Sequence, residues 1–122
     1  CAAAPTREDI EYVFRHKTAD LFRAACRLGA IAAGASEADL ARLSAYGDGL
    51  GFAFQICDDL LDADAAGTRT EPELSCLAVM TAAEARQWAE DHTRRAIAAL
   101  TGLPGDAAPL EALARHLLGR LA

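Results

Sequence analysis

Three carboxylates crowd one short stretch, "FQICDDLLD", from Phe54 to Asp62. Asp58, Asp59 and Asp62 sit there among Phe54, Ile56, Leu60 and Leu61, residues that otherwise read as a buried helix. At about 100° per residue, Asp58 and Asp62 stack on one helix face and Asp59 lies one step around. Like charges at this spacing cost a helix about 0.2–0.5 kcal/mol per pair. They also lie toward a C-terminal end, where the helix dipole disfavours carboxylates. Aspartate is a weak helix former besides. A solvated helix end is the plain interpretation. A divalent cation is the chemical one: hard oxygen ligands suit magnesium, which keeps several waters and bridges carboxylates to substrate phosphates.

A second group lies forty residues upstream. The chain has a single lysine, Lys17, against eleven arginines, and Thr18 follows it. If the helices on either side of Ala35 form a hairpin, Thr18 falls opposite roughly residue 52. Lys17 then lies about five residues from Asp58 along the axis, or roughly 8 Å at 1.5 Å per residue. Gln55 falls between them. A cation, a hydroxyl, an amide and three carboxylates then converge on one end of a helical groove. That set suits a diphosphate, with lysine and threonine on its oxygens and the aspartates acting through magnesium.

The elements that would position these residues are helices. Alanine dominates the 122 residues while valine, isoleucine and threonine are sparse, which favours helix over strand. "TRED" at Thr6 is a capping box opening a helix from Arg7 to about His16, with a break or kink at Thr18. A second stretch follows from Ala19 to Ala33, with Leu21, Ala24, Ala25, Leu28 and Ala32 on one face and Gly34 as its C-terminal cap. "SEAD" at Ser36 opens a long helix from Glu37 to about Asp64, whose apolar stripe is Leu40, Leu43, Leu50, Phe54, Cys57 and Leu61. Gly47, Gly49 and Gly51 weaken it by about 1 kcal/mol each and mark close packing. That helix is expected to stop near Gly67. The segment "AAGTRTEP" reads as a loop and "ELSCLAV" as a brief helical or extended piece. Thr81 caps a helix to about Thr101, and a last helix runs from about Ala108 to Leu121 with Leu110, Leu113, Leu117 and Leu121 on one face. The whole is expected to be one all-α domain, residues 1–122, of antiparallel helices joined by short turns.

Composition narrows the function. A hydrophobic fraction of 52% is ample for a core, and a net charge of −6 argues against general nucleic-acid binding. No apolar run is long enough to span a membrane. Four scattered cysteines without a CxxC pair read as reduced, structural and cytoplasmic. Cys57 reads as a core residue, Trp88 as a packing anchor, and His16, His92 and His116 as helix-surface residues. Arg94 and Arg95 read as a solvated face.

"HKTADLFRAACRLGAIAAGAS" followed by "YGDGLGFAFQICDDLLD" resembles the C-terminal half of the trans-type isoprenyl diphosphate synthases, the farnesyl, geranylgeranyl and longer-chain polyprenyl enzymes. The match is strongest from residue 6 to 64. The resemblance implies the isoprenoid synthase bundle and a magnesium-assisted condensation of an allylic diphosphate with isopentenyl diphosphate. It implies that Asp58, Asp59 and Asp62 hold magnesium and that Lys17 contacts the allylic diphosphate. Thr18 and Gln55 then steady the developing cation and the phosphate, and Phe54 lies beside the isopentenyl diphosphate site.

The family pattern is only half present. The first aspartate-rich motif is missing, and the lysine-bearing loop after the second is here "AAGTRTEPEL", where Arg69 is the one candidate substitute. The chain starts at Cys1, so the expectation is the C-terminal part of a longer enzyme, incomplete on its own. The other readings are one subunit of a split synthase or a non-catalytic regulatory relative; a class I terpene cyclase shares the ionisation chemistry. In each case a half-bundle leaves an apolar face, expected at Leu40, Phe54 and Leu61, that favours dimerisation or docking onto a second helical half.

Overall fold

The computed structural model describes residues 3–64 and 74–122. Among them every element is helical: α1 (Arg7–Phe14), a π-helical turn (Arg15–Ala19), α2 (Asp20–Ala32), α3 (Glu37–Asp64), a 3₁₀ turn (Cys76–Ala78), α4 (Ala82–Ala99) and α5 (Ala108–Gly119). The all-α expectation holds.

Local chemistry sets the boundaries. Thr6 closes a capping box with Asp9, whose carboxylate accepts from the Thr6 backbone N–H at 2.8 Å. That bond and the Thr6 hydroxyl hold the Asp9 carboxyl below its usual range. α2 ends at Gly34, whose φ of 73° supplies the left-handed cap. The Ser36 side chain accepts from the Asp39 N–H at 3.2 Å and opens α3. Thr81 and Glu84 form a second capping box at the head of α4.

α3 is the spine, packed between α2 and α4. Its glycines permit this. A Cβ on Gly51 would lie 2.7 Å from the Ala19 Cα, one on Gly47 2.8 Å from the Phe22 carbonyl, and one on Gly49 3.0 Å from the His92 carbonyl. So α3 is buried on several sides rather than along one stripe, with Tyr46, Phe52, Ala53, Ile56 and Leu60 buried besides Leu50 and Cys57. One part of the core gathers Ile10, Phe14, Ile56 and Trp88. The other gathers Tyr46, Leu50, Leu100 and Ala114. There the Tyr46 hydroxyl donates to the Leu110 carbonyl at 2.7 Å, and burial pushes its pKa up to about 12.

Several expectations need correction. Leu21, Ala24, Ala25, Leu28 and Ala32 do share a face, but that face is exposed; α2 meets α3 through Phe22, Cys26 and Ala30 instead. The uncovered stripe is therefore on α2, while Leu40, Phe54 and Leu61 are half-buried. Leu113 points outward from α5. His92 is half-buried, with its ring stacked on Phe52 at 4.7 Å. The break expected at Thr18 is a wide turn within a continuous helix. The stop near Gly67 and Arg69 lie outside the described residues.

Candidate diphosphate site

The π-helical turn decides where Thr18 points. A wide turn inserts an extra residue into the α-helical register and is common at functional sites. Thr18 and Ala19 are its buried members, whereas Arg15, His16 and Lys17 face outward. Arg15 pairs with Asp48 at 2.9 Å and His16 with Asp20 at 3.1 Å.

From Thr18 a line of hydrogen bonds crosses the hairpin. The Thr18 hydroxyl donates to Gln55 Oε1 at 2.8 Å. This leaves the Gln55 amide N–H to donate to Asp59 Oδ1 at 3.1 Å. The other Asp59 oxygen accepts the backbone N–H of Cys76 at 2.9 Å. One buried carboxylate thus joins the end of α3 to the 3₁₀ turn. Burial and the neighbouring Asp59 carboxylate raise the Cys76 thiol to about 12, and burial raises Cys57. Neither is a thiolate nucleophile, in keeping with Cys57 as a core residue.

The three aspartates therefore part company. Asp59 is 5% exposed and bonded inward through both oxygens. Asp58 is half-buried and faces the C-terminal helix, where Arg120 Nη2 approaches its Oδ1 at 3.2 Å. Asp62 is exposed, four residues on and on the same face as Asp58. Among the described residues no three His, Cys, Asp or Glu side chains converge as a metal-holding group. The donor set fits a magnesium ion that brings phosphate oxygens and waters with it, using Asp58 and Asp62, rather than one caged by protein alone. Lys17 is exposed. Phe54 is half-buried between the Phe22 ring, 5.3 Å away, and the Arg120 guanidinium, 5.1 Å above it.

Two partners escaped sequence reasoning. The Cys76 N–H is a backbone group with no side-chain signature. Arg120 lies 62 residues from Asp58, far outside the reach of any helix spacing. A groove of about 520 Å³ at the other end of the α2–α3 hairpin, lined by Cys26, Asp39, Leu43 and Leu110, contains none of these residues.

The sequence model for polyprenyl synthetase matches residues 3–74. Geranylgeranyl pyrophosphate synthase 11, chloroplastic, of Arabidopsis thaliana is 36% identical over 128 residues, covering 93% of this chain and 34% of that protein. The heterodimeric geranylgeranyl pyrophosphate synthase large subunit 1, chloroplastic, of the same plant is 34% identical, with 93% and 33% covered. Among solved structures, a decaprenyl diphosphate synthase from Rhodobacter capsulatus superposes with a TM-score of 0.86 at 27% identity, over 98% of this chain and 52% of that one. An apo FPP/GFPP synthase from Zymomonas mobilis gives 0.82 at 29%, over 96% and 40%. The chain spans about a third of the length of the relatives it matches. These relatives are named as chloroplastic, and another, geranylgeranyl pyrophosphate synthase 10 of Arabidopsis, as mitochondrial. They contradict the cytoplasmic location expected from the cysteines, and that expectation is withdrawn.

Proposed function

This chain belongs to the polyprenyl synthetase family, and from that premise we propose that it carries the diphosphate-handling part of a prenyltransferase of isoprenoid biosynthesis. The reaction joins an allylic diphosphate to isopentenyl diphosphate. One observation supports the reading: the bonded line from Thr18 through Gln55 to Asp59 joins the segment that carries Lys17 to the segment that carries Asp58 and Asp62.

Asp58 and Asp62 would hold magnesium, and magnesium supplies charge neutralisation for a departing diphosphate. Lys17 binds the diphosphate oxygens as a point charge. Asp59 holds the end of α3 in place, because its oxygens are engaged in the core. Thr18 and Gln55 set the approach of the two helices and present their dipoles toward the cation side. Phe54, with the Arg120 guanidinium over its ring, lies beside the second substrate. The apolar packing around Phe54 and Leu60 excludes water from a carbocation.

The partner is a second helical half. Leu21, Leu28 and Ile31 on α2 are 71%, 69% and 58% exposed, one apolar face with Ala24 and Ala25 between them. Leu21, Ala24, Leu28 and Ile31 repeat at the three-four spacing of a helix-packing seam. The test is an assay with magnesium and both diphosphates. The chain alone should be inactive, and mixing with the complementary two-thirds of a related synthase should restore product. Lys17→Ala or Asp62→Ala in the mixture should lower turnover by about a hundredfold or more. Turnover by this chain alone would refute the need for a second half.

A further inference from the structure

Arg120 is held on several sides. Its Nε donates to the Leu117 carbonyl at 3.4 Å, its guanidinium lies 5.1 Å above the Phe54 ring, and its Nη2 is 3.2 Å from Asp58 Oδ1. The next residue is pinned as well: the Leu121 carbonyl accepts from Arg86 at 3.2 Å, and Leu121 packs against the core. A cleft of about 460 Å³ lined by Leu60, Leu61, Asp64 and Arg86 opens beside it. Both members of the Arg120–Asp58 pair keep about a third of their side-chain surface in solvent. Such a pair contributes little to stability, so its placement calls for another account.

We infer that Arg120 is a positioning residue that makes metal binding at Asp58 depend on a diphosphate; this rests on the reading of Asp58 and Asp62 as metal ligands. A bare divalent cation approaching Asp58 meets a carboxylate oxygen already engaged, and a second positive charge beside it. Both effects disfavour the ion. A diphosphate reverses the balance. It offers acceptors in the fork geometry that guanidinium matches, and its negative charge lies between Arg120 and the metal. A guanidinium carries five N–H donors, more than Asp58 and the Leu117 carbonyl consume. Arg120 can therefore turn to the diphosphate while staying on the Phe54 face, and Asp58 is released to the ion. Metal and diphosphate then bind as one unit, and the site does not fill with metal ahead of substrate.

The coupling is measurable without turnover. The 122-residue chain is titrated calorimetrically with magnesium chloride and, separately, with premixed magnesium and inorganic diphosphate. The parent should bind the premixed pair at least tenfold more tightly than the salt. Arg120→Ala should move the two affinities in opposite directions, several-fold tighter for the salt and several-fold weaker for the pair. Arg120→Lys should keep the salt weak and recover only part of the affinity for the pair. Arg94→Ala, remote and exposed, should match the parent. Circular dichroism reports whether each variant keeps its helices. Affinities that shift in the same direction, or stay unchanged in Arg120→Ala, overturn the inference while leaving the metal site standing. A parent chain that binds neither titrant overturns both.

Discussion

The Thr18 hydroxyl and the Gln55 carbonyl oxygen meet at 2.8 Å across the α2–α3 hairpin, and both residues are buried. A glutamine amide that accepts on its oxygen must donate from its nitrogen, so this one bond also sets the Gln55–Asp59 contact. Thr18→Val keeps the shape and removes the donor, leaving a buried acceptor unpaired. We expect a loss of about 1–2 kcal/mol in urea unfolding. Thr18→Val combined with Gln55→Leu should show a coupling of about 1 kcal/mol, and strict additivity would mean the bond is not formed in solution.

Asp58 and Asp59 are adjacent and should respond differently. Asp59→Ala orphans the buried Cys76 N–H and the Gln55 amide, and should cost about 2–3 kcal/mol. Asp58→Ala removes only a half-exposed pair with Arg120, and should stay within about 0.5 kcal/mol of the parent. Equal losses in chemical denaturation would place Asp59 at the surface.

Gly51 and Gly29 offer opposite signs. Alanine is the better helix former by about 1 kcal/mol. At Gly29 nothing lies within 4 Å of the added carbon, so Gly29→Ala should stabilise by about 0.5–1 kcal/mol. At Gly51 the added carbon meets the Ala19 backbone at 2.7 Å. The two helices must separate, and Gly51→Ala should cost a net 1–3 kcal/mol or so. Thermal unfolding separates the two cases.

His92 gives the chain an acid-sensitive step. Burial first, and then Arg95, push its folded pKa down to about 4, against about 6.5 unfolded. Between these values the unfolded chain binds the extra proton. Stability is therefore full above about pH 6.5 and declines as pH falls toward 4, by about 2–3 kcal/mol in all. His92→Phe keeps a ring against Phe52 and should flatten this slope. A parent chain whose stability is level from pH 7 to 4.5 would contradict the burial of the imidazole.

Much of the fold was legible because its signals are local. Thr6, Ser36 and Thr81 announce helix starts through bonds that span three residues, and Gly34 announces an end through its own backbone freedom. Gly47, Gly49 and Gly51 told of close packing because a long helix rarely carries three glycines without a neighbour against them. Counting along two helices set Thr18 opposite roughly residue 52 and Gln55 between Lys17 and Asp58, within a turn of the register observed, but it did not pair Thr18 with Gln55. What escaped depends on distant partners. The periodicity of α2 found the stripe of Leu21 and Leu28 but not its direction, since an apolar face looks the same whether its cover lies within the described residues or beyond them. Asp59 was grouped with Asp58 and Asp62 because spacing along a helix says nothing of an N–H arriving from Cys76. His92 was read as a surface residue because its cover, the Phe52 ring, comes from another helix.

The wide turn at Arg15–Ala19 acts as a phase shifter. One additional residue in a helical turn rotates everything after it by roughly 100° about the axis relative to what came before. The shift lets one near-continuous rod seat Ile10 and Phe14 against α4 at one end, and hold Leu21 and Leu28 away from α3 at the other. Deleting a single residue there would leave composition, charge and helix content almost untouched. It would nonetheless swing the leucine row sideways and take the Thr18 hydroxyl off Gln55, so the chain's length through these five positions matters as much as their identity.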